Sequence, residues 1–322
     1  MRIAHCLIGL SSLAFAGFVQ AQGTFPSRAI AMVVGFAPGG GTDTSARIIA
    51  KKLGENLGQS VVVENKPGAG GNIAHDLVAK AAPDGHTILL GSVGPLTVAP
   101  HMFPKLPYHP QRDLAPITMA VTFTNVLVVQ PSVPAKTLQE FVALAKAKPG
   151  TLTYGSSGIG GAGHLSGELL RLMAGIDIVH VPYKGGGPAM QDLLGGQIAS
   201  IFATPISAGP HIKSGRIRAI AVTGPARTAF MPEVPTVAES GYAGYEAMNW
   251  YAFVAPARTP KEILARLHVE LVKVLNAADV RAELAKHGME SIPGTPEELA
   301  KTIERELGIW GRVVREANIK PN

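Results

Sequence analysis

The chain has 322 residues, of which 46% are hydrophobic and only 16% charged, with a formal net charge of +6. So much apolar content argues against a disordered chain. The Lys and Arg are scattered, without a basic run or aromatic interleaving, so the charge reads as solvated surface and not as a nucleic-acid interface.

The first 21 residues read as an export signal. Arg2 precedes a short apolar core over 7–19, and Val19-Gln20-Ala21 presents small residues for cleavage after Ala21. The apolar run is short for a bilayer span and no stop-transfer pattern follows. Cys6, the one cysteine, falls inside the signal, so the mature chain has no disulfide; an exported protein of this kind suits a bacterial periplasm. About 300 mature residues leave room for two domains.

Residues 29–36 form a buried-strand candidate. Ala46, Ile49, Ala50, Leu53 and Leu57 then recur at helical spacing, with Thr42 or Asp43 as the cap. A second strand is expected over 60–64, a glycine-rich turn over 65–71, a helix over 72–81 and a third strand over 87–90. Strand, helix, strand, helix, strand argues for a parallel sheet covered on both faces. Residues 95–116 are proline-rich and aperiodic, so they read as loop. The run 117–129 exceeds an ordinary strand and suits a crossing between domains.

A second α/β unit starts at Thr137, which forms a capping box with Glu140 for a helix to about 148. Strands are expected at 152–154, 178–181, 198–204 and 217–223, the last as a return to the first domain. Helices are expected over 164–174 and 188–194, with a short one near 212. From 227 to 256 the chain reads as loop. Thr259-Pro260 and Thr295-Pro296, each with a glutamate three residues after the threonine, open C-terminal helices over 260–275 and 296–317. A short helix to 287 and a strand at 290–292 lie between them. This gives a two-lobed α/β fold: lobe 1 from 22–124 and 226–322, and lobe 2 from 125–225.

Two stretches join a strand, a glycine-rich turn and a helix N-terminus: residues 36–44 and 155–164. Glycines let a ligand approach the main chain, and a helix N-terminus supplies unpaired N–H groups and a positive dipole end. One such turn is often only a tight connection. Two, one in each lobe, point to an anion held between them. Phe36, Ala37, Gly39, Gly40, Gly41, Thr42, Gly155, Ser156, Ser157 and Gly158 are the candidate contacts. Asp43 is a candidate contact or a cap.

Gly158, Gly160 and Gly163 match a dinucleotide fingerprint, but Asp177 precedes the next strand where an acid should end it. There is no phosphate-binding P-loop and no Gly-x-Ser-x-Gly elbow. His164 and Glu168 are one helical turn apart without a third ligand, so His164 reads as facing the ligand turn. His180 reads as a core histidine. Trp250 and Tyr251 read as packing between lobes, with a place for Trp250 in the cleft lining as the alternative. No cofactor, metal or catalytic group is expected.

Several segments carry a family resemblance. They are Phe36-Ala37-Pro38-Gly39-Gly40-Gly41-Thr42-Asp43, Val63-Glu64-Asn65-Lys66-Pro67-Gly68-Ala69-Gly70-Gly71-Asn72, Tyr154-Gly155-Ser156-Ser157-Gly158, Val181-Pro182-Tyr183-Lys184-Gly185, Pro232-Glu233-Val234-Pro235-Thr236 and Trp250-Tyr251-Ala252-Phe253-Val254-Ala255-Pro256. Together, and in order, they resemble the Bug family, the extracytoplasmic solute receptors of tripartite tricarboxylate transporters. The resemblance implies a periplasmic binding protein of type II with two interlobe crossovers. It also implies a small carboxylate gripped by residues 36–44 and 155–164, largely through backbone amides and waters. Ser92 and Val93 would line the cleft from lobe 1. Where the family often has an aspartate, this chain has Thr204, which favours a ligand without a cationic group. A monomer that closes on its ligand and passes it to membrane transporter components is expected, with a sensor subunit or a periplasmic hydrolase as alternatives.

Overall fold

The computed structural model describes residues 25–316 and Ile319; the expected export signal lies outside them. The chain begins with β1 (Ile30–Val34), α1 (Gly41–Leu57), β2 (Val61–Asn65), α2 (Asn72–Ala79) and β3 (Thr87–Ser92). Single-turn helices α3 (Ala99–Met102) and α4 (Pro110–Asp113) lead into β4 (Leu114–Thr124). After Asn125 the chain runs through β5 (Val126–Val129), α5 (Leu138–Ala147), β6 (Thr153–Ser156), α6 (Ala162–Ala174) and β7 (Val179–Pro182). It continues through α7 (Gly186–Leu194), β8 (Ser200–Ala203), α8 (Pro205–Lys213) and β9 (Arg218–Val222). The return is β10 (Met248–Pro256), followed by α9 (Lys261–Asn276), α10 (Ala278–Ala285), β11 (Glu290–Ser291) and α11 (Pro296–Glu316).

Two sheets result, ordered β11-β4-β10-β3-β1-β2 and β7-β6-β8-β5-β9. Each contains a parallel trio with the first strand central: β1 between β2 and β3, and β6 between β7 and β8. Each trio is extended by a strand belonging to a crossing segment. β10 runs antiparallel to β3, and β5 antiparallel to β8. The expected crossing over 117–129 is the pair β4 and β5, with the single residue Asn125 between them.

Side-chain alternation explains the layers. On β1, Ile30, Met32 and Val34 pack with Ile49 and Leu53 of α1 and Leu267 and Leu271 of α9. Val33 points to the other face, with Ala74 and Val78 of α2 and Leu299 and Ile303 of α11. On β5, Leu127 and Val129 meet Phe141 of α5 and Leu170 of α6, while Val126 and Val128 meet Ala189 and Leu193 of α7.

The structure departs from the sequence reading in several places. The stretch expected as loop over 95–116 contains α3, α4 and the start of β4, anchored by Tyr108, whose hydroxyl bonds Asn72 (2.7 Å) and the Pro95 carbonyl (2.9 Å). The run at 217–223 does not return to the first sheet; it is β9, paired with β5. The return is made by β10, inside the stretch expected as loop. Buried on both faces, β10 lacks the period-two signal of a half-exposed strand. Residues between β9 and β10 pack on the second sheet, since the Val222 N–H donates to Pro235, the Val237 N–H donates to Val222, and Tyr245 joins the core around Phe141. The Thr259 hydroxyl donates to the Pro256 carbonyl (2.8 Å) and caps nothing, because α9 begins only at Lys261.

Candidate binding cleft

In open α/β sheets, ligands sit at the carboxyl ends of strands where the connection order reverses. Here the reversals lie between β1 and β3 in one sheet and between β6 and β8 in the other. The loops after β1 and β3 meet those after β6 and β8 around an enclosed cavity of about 40 Å³. Phe36, Gly40, Gly41, Thr42 and Ser92 line it from the first sheet, and Ser157, Gly161, Gly163 and Thr204 from the second. Asn125, Asn249 and Tyr251, all on the crossing segments, line it as well. A larger, open groove of about 450 Å³ lies between Phe230, Met248 and Met289, but no helix begins there.

Among the described residues, no Lys, Arg, Asp or Glu lines the small cavity. Its positive character comes instead from helix N-termini. The first-turn N–H groups of α1, from Gly41, and of α6, from Ala162, have no intrahelical acceptor. They carry the positive ends of the two helix dipoles into the cavity from opposite lobes.

The first jaw is held rigid from behind. The cap of α1 is Gly40, not Thr42 or Asp43, and no side chain closes it. Asp43 lies in the first turn and accepts from the Gly39 N–H (3.1 Å), from Arg47 Nη2 (2.8 Å) and from Asn65 Nδ2 (3.0 Å). Burial opposes its ionisation, but these hydrogen bonds prevail and hold its pKa below the ordinary carboxylate value. Asn65 also donates to the Phe36 carbonyl (2.9 Å).

The second jaw rests on histidines. The Gly160 N–H donates to His164 Nδ1 (3.1 Å), which leaves the ring proton on Nε2. His164 stacks on His180 at 4.1 Å between centroids, and His180 stacks in turn on Tyr154. Ser156 Oγ lies 2.7 Å from His180 Nε2 and accepts from the Gly158 N–H (3.1 Å). Burial lowers the pKa of His164 to about 4 and that of His180 to about 3.

The lobes touch directly. The Ala37 N–H donates to the Lys184 carbonyl (2.9 Å). Gly70 meets the Ile159 carbonyl with no room for a β-carbon, and a β-carbon on Gly94 would sit 2.5 Å from the Gly160 oxygen. These are main-chain approaches that only glycine permits.

Of the residues expected at the site, Phe36, Gly40, Gly41, Thr42, Ser92, Ser157 and Thr204 line the cavity. The others lie behind it or at the lobe contact. Ala37 makes the interlobe bond, Gly39 and Asp43 bond each other, Gly158 abuts Gly70, and Ser156 and His164 support the loop. Gly155 is a packing glycine, since a β-carbon there would meet Ile198 at 2.6 Å. Val93 is buried in the core beside β3. Asn125, Asn249 and Tyr251 escaped the sequence reading. Alternation along β10 turns Asn249 and Tyr251 to the cavity and Trp250 away, where its Nε1–H donates to Glu306 (2.9 Å). Recognising 248–256 as a strand would have separated them.

Two lobes of this topology, joined by two crossing segments with a cleft between them, define a solute-binding protein of the periplasmic type. Residues 45–319 match the tripartite tricarboxylate transporter family receptor model. The chain is 39% identical to BugT of Bordetella pertussis over 298 residues, covering 92% of this chain and 91% of BugT. Among solved structures, an R. palustris protein with adipate has a TM-score of 0.90 at 35% identity, covering 92% of this chain and all of the other. MatC from Rhodopseudomonas palustris with bound malate has a TM-score of 0.86 at 34% identity, covering 90% of this chain and all of MatC. The chain belongs to the tripartite tricarboxylate receptor family, that of the Bug proteins.

Proposed function

We propose that this chain is a periplasmic receptor that captures a small carboxylate between its lobes and delivers it to a tripartite tricarboxylate-type membrane transporter. The observation that carries this reading is the enclosed cavity, which no charged side chain lines among the described residues and into which α1 and α6 point their N-termini from opposite lobes. Backbone dipoles stabilise a carboxylate there without a fixed cation. Because both jaws touch the ligand, binding favours the closed form, which is the state a transporter can distinguish. A cavity of about 40 Å³ has room for a few waters. At this degree of closure it suits a short-chain acid, and a longer one requires the lobes to stand farther apart. The relatives solved with adipate and malate support the carboxylate class.

The receptor acts as a monomer and does no chemistry. Ser156 and His180 are hydrogen-bonded, but Ser156 is fully buried, does not line the cavity, and its Oγ is occupied by Gly158 and His180. We place the lobe boundary on the return after residue 247 and not at 225, because 226–247 pack on the second sheet. Among the described residues, lobe 1 is then 25–124 with 248–316, and lobe 2 is 125–247.

A thermal-shift screen of mono-, di- and aromatic carboxylates, amino acids and neutral sugars tests the reading. Stabilisation should rise with the logarithm of ligand concentration for one or more carboxylates. A shift with a neutral sugar and none with any carboxylate would sink it.

A further inference from the structure

The floor of the cavity is formed by two asparagines, one on each crossing segment. Asn125 is 1% exposed and Asn249 is 5% exposed. The segments that carry them are tied together through Thr223, at Asn125 itself and at Ala247, two residues before Asn249. The Thr223 hydroxyl accepts from the Asn125 N–H (2.9 Å) and donates to the Ala247 carbonyl (2.8 Å). The cavity therefore keeps two amide side chains at the hinge itself.

The orientation of those amides is set by a relay with one fixed end. Ser166 Oγ–H donates to the Ala162 carbonyl (2.8 Å). A main-chain carbonyl only accepts, so the hydroxyl proton is committed and Ser166 Oγ is left as an acceptor. Asn125 must then present its Nδ2–H to Ser166 Oγ (3.3 Å), which turns its Oδ1 toward Asn249. Asn249 answers with Nδ2–H at 3.4 Å. Its own Oδ1 has no partner among the described residues, although it is buried and the side chain lines the cavity. Ser92 Oγ, on the end of β3, is a second buried cavity-lining oxygen without a partner among them.

A buried acceptor without a donor is costly, so a ligand that supplies one gains over a ligand that does not. A carboxylate has no donor to offer. An ammonium has donors, but among the described residues no acidic side chain lines the cavity to balance its charge, and Thr204 stands there with only a hydroxyl. The remaining donor is an uncharged hydroxyl. We propose that the ligand is a small hydroxy acid, and that Asn249 is the residue that reads its hydroxyl while the helix N-termini hold its carboxylate. Ser166 and Asn125 are positioning residues, since they fix which end of the Asn249 amide faces the ligand. The proposal rests on the carboxylate reading above and adds the donor requirement to it. The relay also starts on Ala162, the first residue of α6, so the same bonds connect the hydroxyl reader to the second jaw.

Titration calorimetry with matched acids tests it, comparing lactate with propionate and alanine, and malate with succinate and aspartate. The wild-type protein should bind at least one hydroxy acid ten- to a hundredfold more tightly than its deoxy partner and than its amino counterpart. In Asn249→Leu, of similar size without the acceptor, the hydroxy-to-deoxy ratio should fall toward one. In Asn249→Asp the anionic oxygen should move the preference toward the amino acid. Ser166→Ala, at a residue that does not line the cavity, should lower the ratio by freeing the Asn125 amide to turn. Each ratio is taken on a single preparation, so a loss of stability in a variant cancels. Equal binding of every hydroxy and deoxy pair, or a preference that survives Asn249→Leu, overturns the hydroxyl assignment while leaving the carboxylate reading intact. Failure of every acid to bind overturns both.

Discussion

His164 and His180 lie face to face behind the second jaw, and both are held neutral by burial. Glu168, one turn along α6, raises the His164 pKa, and Arg171 lowers it again, so desolvation remains the deciding effect. In an unfolded chain these imidazoles take up protons near pH 6.5. Their contribution to stability is therefore complete above that value and is lost as pH falls from about 6.5 toward 4. The shifts correspond to a loss on the order of 3 kcal/mol for each imidazole across that window. His164→Gln should flatten the fall in melting temperature between pH 7 and 4.5. An unchanged slope would mean that the pair does not set the acid sensitivity. His75, also buried with its pKa lowered to about 4, leaves a residual slope in the variant.

At the scale of elements, the two C-terminal threonine-proline starts look alike in sequence and differ in fact. At α11, Thr295 Oγ1 accepts from the Glu298 N–H (3.1 Å) and Glu298 Oε2 accepts from the Thr295 N–H (2.7 Å), a complete capping box. At α9 the Thr259 hydroxyl turns back to Pro256 instead. Thr295→Ala should cost about 1 kcal/mol in a urea melt. Thr259→Ala should leave the N-terminus of α9 uncapped to the same degree as before, so amide exchange in the first turn of α9 should be unchanged. Loss of first-turn protection in that variant would restore the cap that the sequence suggested.

For the whole molecule, main chain meets main chain across the cleft, and the proposed closure would rest on those approaches. Gly94 is the cleanest probe, because its backbone is not in a glycine-only region and its β-carbon would press on the Gly160 oxygen at 2.5 Å. Gly94→Val should hold the lobes apart and weaken carboxylate binding by about tenfold or more, the effect expected of losing contacts from one jaw. In small-angle scattering, the wild type should contract on ligand addition, and that decrease in radius of gyration should shrink in the variant. A variant that compacts fully on ligand addition would show that this approach does not limit closure.

The local chemistry of the chain fixed much of this in advance. Glycine-rich turns after strands, helical spacing in α1 and the capping boxes at Thr137 and Thr295 are short-range signals, because they depend on backbone angles and on neighbours within a few residues. They pointed to both glycine-rich turns and to five of the residues that line the cavity, Phe36, Gly40, Gly41, Thr42 and Ser157, while Ser92 and Thr204 came from the family resemblance. Tertiary structure decided the rest. β10 is sandwiched within the first sheet, so its apolar run carries no alternation and read as loop, and with it went Asn249 and Tyr251. Asn125 lies between two strands of different sheets, and nothing nearby in sequence announces that it shares a cavity with a residue more than a hundred positions later. His164 and Asp43 have the right residue types at the right turns, but packing turned one behind its loop and tied the other to Arg47 and Asn65. Which polar groups are paired, and which are left facing the ligand, is settled only when distant segments close around them.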